Sequence, residues 1–258
     1  MDLQLKGKTA LVSGSTAGIG LAIAQALAKE GASVIVNGRT EERVRAAMEA
    51  SGSTHGIAAD LGTERGAQQV IAQFPQVDIL VNNLGIFEPK PFAEITDDDW
   101  RRFFEVNVLS GVRLSRHYIE PMLKNNWGRL VFISSESALQ IPVEMVHYGM
   151  TKTAQLAVSR GLAETTKGTG VTVNAVLPGP TASEGVTDFV NNLAKGQGSN
   201  AASVEREFFR NIRPSSLLQR FATPSEVAAL VAFVSSPLAS AINGAALRVD
   251  GGVVRSIV

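Results

Sequence analysis

Short apolar runs recur along the whole chain, and each is followed by a helical pattern. These runs do not alternate with polar residues, so each predicts a strand that helices cover on both faces. The predicted strands span residues 9–13, 33–37, 56–59, 78–82, 129–134, 171–176 and 245–249. The predicted helices span residues 19–29, 41–50, 64–74, 98–124, 148–167 and 224–234. Repeated strand–helix units predict an α/β fold, a doubly wound parallel sheet in three αβα layers, which is the Rossmann fold.

One domain accounts for the length of the chain. Its 258 residues, 45% of them apolar, are enough for a single large domain with a substantial core. No linker rich in proline, glycine or serine divides residues 1–258, so a single domain is predicted. The irregular stretch at about residues 181–214 holds two short predicted helices, 187–194 and 204–211, around a polar segment. Loops of this length usually form lids or binding loops, so we expect this one to cover a substrate.

Balanced charge and the lack of cysteine exclude several classes of function. The chain has 24 Lys and Arg residues against 24 Asp and Glu residues, which argues against nucleic acid or an anionic membrane as the main partner. There is no cysteine, and His55, His117 and His147 lie far apart, so no metal site is expected, with a carboxylate magnesium site as the alternative. Neither a leader segment nor an apolar run of about 18 residues is evident, and we therefore expect a soluble cytoplasmic protein.

A glycine-rich turn connects the first predicted strand to the first predicted helix. It reads Gly14-Ser15-Thr16-Ala17-Gly18-Ile19-Gly20. Glycines allow the backbone to approach a diphosphate closely, and the following helix N-terminus offers free N–H groups and a partial positive charge. The spacing G-x-x-x-G-x-G differs from the common G-x-G-x-x-G, and the alternative is a tight turn that binds no ligand. Its position directly after a strand favours a dinucleotide site.

Further polar residues follow the later strands. Asn82-Asn83-Leu84-Gly85 ends the fourth predicted strand, and Ser135 follows the fifth, so both are expected at the same edge of the sheet. Tyr148 and Lys152 lie four residues apart on one helix face, where the ammonium would lower the pKa of the phenol. Asn107, flanked by valines in a predicted helix, is expected to face inward. Taken singly, these residues could instead be strand-end hydroxyls, a solvated helix pair and a satisfied buried amide.

Taken together and in this order, the motifs resemble those of the short-chain dehydrogenase/reductase family over essentially the whole chain. The family's T-G-x-x-x-G-x-G is similar to residues 13–20, and its N-N-A-G to residues 82–85, with Leu84 in place of alanine. The resemblance implies four catalytic residues, Asn107, Ser135, Tyr148 and Lys152. The residues expected to hold the dinucleotide are Gly14, Ser15, Thr16, Gly18, Ile19, Gly20, Arg39, Asp60, Leu61, Asn83, Gly85, Tyr148, Lys152, Pro178, Gly179 and Thr181. Ser183 stands as an alternative to Thr181 in the family's P-G-x-x-x-T motif.

The resemblance also implies a reaction, the transfer of hydride between a nicotinamide and a carbonyl or secondary alcohol carbon. Tyr148 would act as the general acid or base, and Ser135 would orient the substrate oxygen. Lys152 would lower the pKa of Tyr148 and hold the nicotinamide ribose. Asn107 would position a water that leads protons to Lys152.

The end of the second predicted strand indicates which dinucleotide binds. NAD enzymes place a carboxylate there to accept the ribose hydroxyls. Here the resemblance would place the acid at Gly38, and the next residue is Arg39. A 2′-phosphate is then not repelled, and the arginine can bind it through charge-assisted hydrogen bonds. NADP is favoured over NAD, and the alternative is that Arg39 forms a surface ion pair with Glu42.

The substrate is left open by the sequence. Residues 87–92, residues 136–146 and the segment after Pro180 would line its pocket with both apolar and acidic side chains, which suits a ketone, a sugar or an acyl thioester. Within the family the chain resembles the 3-oxoacyl-carrier-protein reductases, which often dock the acidic carrier with arginines at two positions. Those positions hold Asn126 and Thr169 here, so a small free carbonyl compound is equally favoured.

Two other classes of function stand as alternatives. One is a dinucleotide-binding regulator without turnover, which would have no need of Tyr148. The other is a sugar-nucleotide epimerase or dehydratase, which shares the Y-x-x-x-K spacing. Such enzymes usually have a longer C-terminal domain and a G-x-x-G-x-x-G turn, and this chain has neither.

Assembly is predicted from the two longest predicted helices. Residues 98–124 and 148–167 carry apolar side chains on more than one face, which indicates a second buried face in addition to the one on the sheet. In the family these helices pair across a two-fold axis. A homotetramer is therefore expected, with a dimer as the minimum.

Overall fold

A central parallel sheet organises the chain. The computed structural model describes residues 1–187, 194, 196 and 200–257. The strands are β1 (Thr9–Val12), β2 (Ser33–Gly38), β3 (His55–Ala58), β4 (Ile79–Asn82), β5 (Gly128–Ile133), β6 (Val171–Pro178) and β7 (Ala246–Val249). In the described part of the chain they form one seven-stranded sheet in the order β3-β2-β1-β4-β5-β6-β7, with every adjacent pair parallel. The order reverses between β1 and β4, a switch point of the kind where doubly wound sheets bind ligands.

Helices cover both faces of this sheet. They are α1 (Gly18–Lys29), α2 (Glu41–Ser51), α3 (Glu64–Gln73), α4 (Asp97–Phe104), α5 (Ser110–Lys124), α6 (Val146–Glu164), α7 (Ala201–Asn211) and α8 (Pro224–Val234). Side chains of α1, α2 and α8 share one apolar layer, and those of α3, α5 and α6 share the other. In β1, Ala10 and Val12 belong to the first layer and Leu11 to the second, which explains the lack of polar alternation. The predicted three-layer αβα fold is confirmed.

The long helix predicted at residues 98–124 is not continuous, and in this respect the prediction was wrong. Helix α4 ends at Phe104, and a π-helical turn, Glu105–Leu109, separates it from α5. Such turns insert one extra residue into a helix and occur frequently at functional sites. Asn107 lies in the middle of this turn and is buried. The turn therefore determines where the Asn107 side chain and carbonyl point.

Other boundaries differ from the prediction by a few residues. Helix α6 begins at Val146, two residues before the predicted start, and ends at Glu164, three residues before the predicted end. Helix α7 begins three residues earlier than predicted, at Ala201. The predicted helix 187–194 lies outside the described residues except for its two ends. Among the helices that the structure describes, none is long and apolar enough to cross a membrane.

Candidate active site

The glycine-rich turn leaves space for a ligand in front of α1. Gly14 and Gly18 have φ angles of 59° and 54°, in the left-handed region that favours glycine. A Cβ atom on Gly20 would lie 2.5 Å from both the Gly14 carbonyl oxygen and Asn83 Nδ2. No side chain caps α1 at Ala17, so the first N–H groups of the helix are available to an anion. This backbone fits the diphosphate of a dinucleotide.

Side chains of the glycine-rich turn fix its position relative to β1 and β2. The buried Ser15 hydroxyl donates to the Val12 carbonyl at 2.7 Å and accepts from the Asn37 N–H at 2.9 Å. The Thr16 side chain packs over Gly38, where a Cβ atom would lie 2.3 Å from Thr16 Cγ2. Ser15 therefore offers only its backbone to a ligand, and a larger residue at position 38 would have to displace the Thr16 side chain.

The end of β4 is bonded directly to the glycine turn. The Ser13 hydroxyl accepts from the N–H groups of Asn83 and Leu84 at 2.9 and 3.0 Å. Asn83 Nδ2 donates to the carbonyls of Ser13 and Gly14 at 2.9 and 3.0 Å. Serine at position 13 therefore keeps a hydroxyl where the family motif has threonine, and this hydroxyl bonds the end of β4 to the turn. The Leu84 side chain packs beneath the turn, 3.4 Å from where a Cβ atom on Gly14 would lie.

Asn107 ties the π-helical turn to the segment after β4. Its Oδ1 accepts from the Ile86 N–H at 2.8 Å, and its Nδ2 donates to the Ile86 carbonyl and to Thr151 Oγ1, both at 3.0 Å. Gly85 lies between Asn107 and Lys152, since a Cβ atom on it would be 3.4 Å from Lys152 Nζ and 3.5 Å from Asn107 Oδ1. The side chain of Asn107 is thereby committed to holding the backbone of the site.

Helix α6 brings Tyr148 and Lys152 to the end of β5. Tyr148 is half-buried, and the edge-on ring of Phe87 lies 6.4 Å from its ring centroid. Lys152 Nζ lies 5.5 Å from the centroid of the Tyr148 ring. The ammonium donates to the Ile133 carbonyl at 2.9 Å and to Gln155 Oε1 at 3.3 Å. Ser135 lies beside Tyr148, so the four predicted catalytic residues lie at one edge of the sheet.

Burial sets the protonation of this pair. It raises the pKa of Tyr148 to about 12, although the neighbouring Ser135 hydroxyl opposes the shift. It lowers the pKa of Lys152 to about 7, because a buried ammonium loses its hydration. The lowering of the Tyr148 pKa by Lys152 stays a prediction. In the structure the ammonium donates to Ile133 and Gln155, and desolvation dominates the pKa of the phenol.

Comparisons with known proteins agree with this geometry. The family model described as enoyl-(acyl carrier protein) reductase, one of the short-chain dehydrogenase models, matches residues 14–254. The chain belongs to the short-chain dehydrogenase/reductase family. It is 53% identical to the uncharacterized oxidoreductase YvaG of Bacillus subtilis, with 100% of both chains covered. It is 33% identical to the 3-oxoacyl-[acyl-carrier-protein] reductase FabG of Aquifex aeolicus, over 98% of this chain and 100% of the relative.

A solved structure extends the likeness to the whole fold. The L-sorbose reductase of Gluconobacter frateurii, complexed with NADPH and L-sorbose, is 30% identical, with 100% of both chains covered and a TM-score of 0.92. The protein is thus an oxidoreductase of the short-chain dehydrogenase/reductase family.

In this short-chain dehydrogenase/reductase the end of β6 adjoins the glycine turn. A Cβ atom on Gly179 would lie 2.4 Å from the Asp250 carbonyl oxygen, so only glycine fits there. The buried Thr181 hydroxyl donates to the Gly179 carbonyl at 2.9 Å. The Cβ atom of Ser183, in contrast, lies 3.2 Å from the position that a Cβ atom on Gly18 would take. Of the two candidate hydroxyl residues, Ser183 is therefore the one packed against the turn before α1.

The ends of β2 and β3 lie on the other side of the same edge. Arg39 is exposed, and it forms no ion pair with Glu42 or any other residue that the structure describes. Asp60 is exposed and accepts from the Gly62 N–H at 3.0 Å. The Leu61 side chain is buried in the apolar layer of α3, α5 and α6, so only its backbone faces the edge.

An ion-pair cluster beside Tyr148 escaped the sequence analysis. Arg213, which is buried, pairs through Nε with Glu136 and through a terminal nitrogen with Glu144, both at 3.1 Å. The Glu136 carboxylate also accepts from the hydroxyls of Ser135 and Ser137. Glu136 raises the pKa of Tyr148 and Arg213 lowers it, so the cluster forms part of the wall of the site. Nothing in the sequence around Arg213 distinguishes it from a surface arginine.

Proposed function

We propose that this oxidoreductase transfers hydride between NADP(H) and a carbonyl or secondary alcohol substrate, with Tyr148 as the general acid or base. The observation that carries the proposal is the placement of Tyr148 beside Ser135, with Lys152 one helical turn further on, at the edge that holds the glycine turn. When bound, the nicotinamide supplies or accepts the hydride. The protein binds, orients and moves the proton.

The protonation of Tyr148 suits reduction. With its pKa raised to about 12, the phenol holds its proton at neutral pH and can donate it to a carbonyl oxygen. The Ser135 hydroxyl, next to the phenol, orients that oxygen by a second hydrogen bond. General acid catalysis of this kind contributes about 10²–10⁴-fold to the rate.

The remaining site residues divide among the parts of the dinucleotide. The glycine turn, with Gly14, Ser15, Thr16, Gly18, Ile19 and Gly20, holds the diphosphate. Asp60 and the backbone of Leu61 adjoin the adenine side. Asn83 and Gly85 form the floor of the dinucleotide site, and Lys152 binds the nicotinamide ribose. Pro178, Gly179 and either Thr181 or Ser183 adjoin the carboxamide.

The preference for NADP rests on Gly38 and Arg39. β2 ends at Gly38 with no carboxylate, and the next residue, Arg39, is exposed and pairs with no carboxylate among the described residues, so its guanidinium could bind a 2′-phosphate. The similar L-sorbose reductase was solved with NADPH, which supports the same choice.

Arg39→Ala is expected to raise the KM for NADPH by about 10–100-fold, because a hydrogen-bonded charge contact contributes about 1.5–3 kcal/mol. The KM for NADH should change by less than about twofold, since NADH carries no 2′-phosphate. Steady-state kinetics with both cofactors measure the difference. Arg45→Ala, an exposed arginine on α2, is the matched control and should leave both constants unchanged. Equal effects of Arg39→Ala on NADPH and NADH would show that Arg39 does not bind the phosphate.

A small free carbonyl compound is the proposed substrate. The L-sorbose reductase complex supports a ketose, whereas the similarity to FabG supports an acyl thioester. Position 126, where carrier-docking relatives often have arginine, holds an asparagine with a φ of 52° whose side chain accepts from the Gly170 N–H at 2.8 Å. This asparagine stabilises a turn and offers no positive charge to an acidic carrier.

The proposed function is tested by following NADPH and NADH oxidation with ketones, ketoses and acetoacetyl thioesters of coenzyme A and carrier protein. We expect NADPH oxidation with a free ketone or ketose to exceed that with the carrier thioester. Faster reduction of the carrier thioester would favour the 3-oxoacyl reductase instead. Dinucleotide binding without oxidation in any arm would indicate a non-catalytic regulator.

The segment at about residues 181–214 is proposed to cover the substrate. Its described end carries Arg213, which reaches Glu136 beside the catalytic Ser135. Its described beginning places Ser183 against the glycine turn. One described end of the segment therefore adjoins the proposed reaction centre, and the other adjoins the glycine turn.

The assembly is proposed to be a homotetramer. Phe104 is 39% exposed on α4, and Leu109 and Val112 are partly exposed beyond the π-helical turn. Leu217, which is 86% exposed, packs on Gly252 of the C-terminal segment. This exposed apolar side chain suggests a second interface. Light scattering at micromolar concentration is expected to give about four times the chain mass of 27.3 kDa. A single-chain mass would contradict the proposal.

A further inference from the structure

Gln155 is buried between two of the proposed catalytic residues. It follows Lys152 by three positions on α6, and only 2% of it is exposed. Its Nε2 donates to the Asn107 main-chain carbonyl at 2.6 Å. Its Oε1 accepts from Lys152 Nζ at 3.3 Å. The amide therefore joins the π-helical turn to the lysine directly.

This link connects the same two residues as the water expected from the sequence. The family resemblance implied a water that Asn107 positions next to Lys152. Here the Asn107 side chain is committed to Ile86 and Thr151, and its carbonyl accepts from Gln155. We propose that Gln155 is a positioning residue that replaces this water and holds the Lys152 ammonium through its amide oxygen. The inference rests on the proposed function, because it assigns a role to Lys152 in that site.

The hydrogen bonds of Lys152 show what Gln155 contributes. A protonated lysine has three N–H donors. The Ile133 carbonyl and Gln155 Oε1 accept two of them, which leaves the third for a ligand. Both acceptors favour the charged amine and so oppose the desolvation that lowers the pKa of Lys152 to about 7. Because its donor faces Asn107 and its acceptor faces Lys152, the neutral amide orients the ammonium and does not relay protons.

Gln155 is the hydrogen-bond partner of Lys152 that a substitution can change, because the other acceptor is the main-chain carbonyl of Ile133. Tyr148 lies on the same helix, and Glu136 and Arg213 reach the site from the loop after β5 and the segment after α7. In the part of the chain that the structure describes, none of these three groups hydrogen-bonds Lys152 Nζ. Position 155 is therefore where a substitution alters the environment of the ammonium most directly.

Two substitutions at this position should shift the titration of Lys152 in opposite directions. Gln155→Met keeps the length and burial of the side chain but removes the amide acceptor, so the pKa of Lys152 falls by about one unit. Gln155→Glu places a carboxylate beside the ammonium and raises that pKa by about one to three units. Lys152 acts as the ammonium, so kcat declines as the pH rises through its pKa. The alkaline decline should move to lower pH in the first variant and to higher pH in the second.

The experiment combines kinetics with a readout that needs neither cofactor nor substrate. The pH profile of kcat is measured for NADPH-dependent carbonyl reduction. The Lys152 titration is followed in the ligand-free protein by NMR of ¹³Cε-labelled lysine, with Lys152→Arg used for assignment. Ser159→Ala is the matched control, since Ser159 lies one turn further along α6 and its buried hydroxyl lacks a hydrogen-bond partner in the described structure. This control should titrate as the wild type does.

The possible results separate the two proposals. Opposite shifts in the NMR titration support the role of Gln155 even if no carbonyl substrate reacts, in which case only the proposed function fails. An unshifted titration in Gln155→Glu, in a protein that still reduces a carbonyl substrate, overturns the role of Gln155 alone. Because Gln155→Glu keeps the length and the acceptor, it provides the decisive measurement if Gln155→Met does not fold.

Discussion

Tyr148→Phe is expected to lower kcat for carbonyl reduction by about 10³-fold, which corresponds to about 4 kcal/mol of transition-state stabilisation. The substitution removes the only proton donor that the proposed mechanism assigns to the substrate oxygen, while the ring and its edge-on contact with Phe87 remain. The Kd for NADPH should stay within about twofold of the wild-type value, because the diphosphate and the 2′-phosphate bind elsewhere. Stopped-flow measurement of NADPH oxidation and fluorescence titration of NADPH give the two quantities.

The second tyrosine of the chain provides a matched control. Tyr118 is fully buried on α5, where its hydroxyl donates to the Phe74 carbonyl at 2.7 Å. Tyr118→Phe is expected to lower the free energy of unfolding by about 1 kcal/mol through loss of this hydrogen bond, with kcat unchanged. Turnover of Tyr148→Phe close to that of the wild type would contradict the assignment of Tyr148 as the acid. Equal losses of kcat in both variants would point to a general effect of removing a hydroxyl.

Gly20→Ala is expected to weaken NADPH binding by about 100-fold or more, equivalent to about 2.8 kcal/mol. The added methyl group would lie 2.5 Å from the Gly14 carbonyl oxygen and 2.9 Å from Ser15 Cα. Both are backbone atoms of the turn, so α1 must move away from β1, and its free N–H groups move with it. Isothermal titration with NADPH measures the loss, and thermal unfolding should show a lower Tm.

Gly161→Ala tests whether the effect of Gly20→Ala belongs to the site. Gly161 lies in α6, and a Cβ atom there would meet no described atom within 4 Å. Replacing a helical glycine with alanine stabilises a helix by about 1 kcal/mol, so the Tm should rise and the NADPH affinity should stay constant. An NADPH affinity of Gly20→Ala equal to that of Gly161→Ala would refute the role of the turn.

The fold followed from patterns that are local in the sequence. Apolar runs without alternation predicted the buried parallel strands, since each strand must pack on both faces. The glycines at positions 14, 18 and 20 predicted a turn whose backbone can approach a diphosphate, and in the structure Gly14 and Gly18 have left-handed φ angles. The order of the motifs along the chain indicated the family, and the carboxyl ends of parallel strands necessarily meet at one edge. Candidate residues of the site could therefore be named before any of their contacts were known.

Only the tertiary structure decided how these residues interact. The π-helical turn at Glu105–Leu109 was not predicted, because the periodicity of the sequence there is that of an ordinary helix. Arg213 is separated from Glu136 by 77 residues, and Gln155 is separated from Asn107 by 48. No local spacing in the sequence therefore predicts either contact. The pKa of Tyr148 rises because burial outweighs its neighbours, whereas the spacing to Lys152 predicted a fall. Spacing in a sequence specifies which groups can meet, but desolvation and the choice among hydrogen-bond partners depend on the whole surrounding structure.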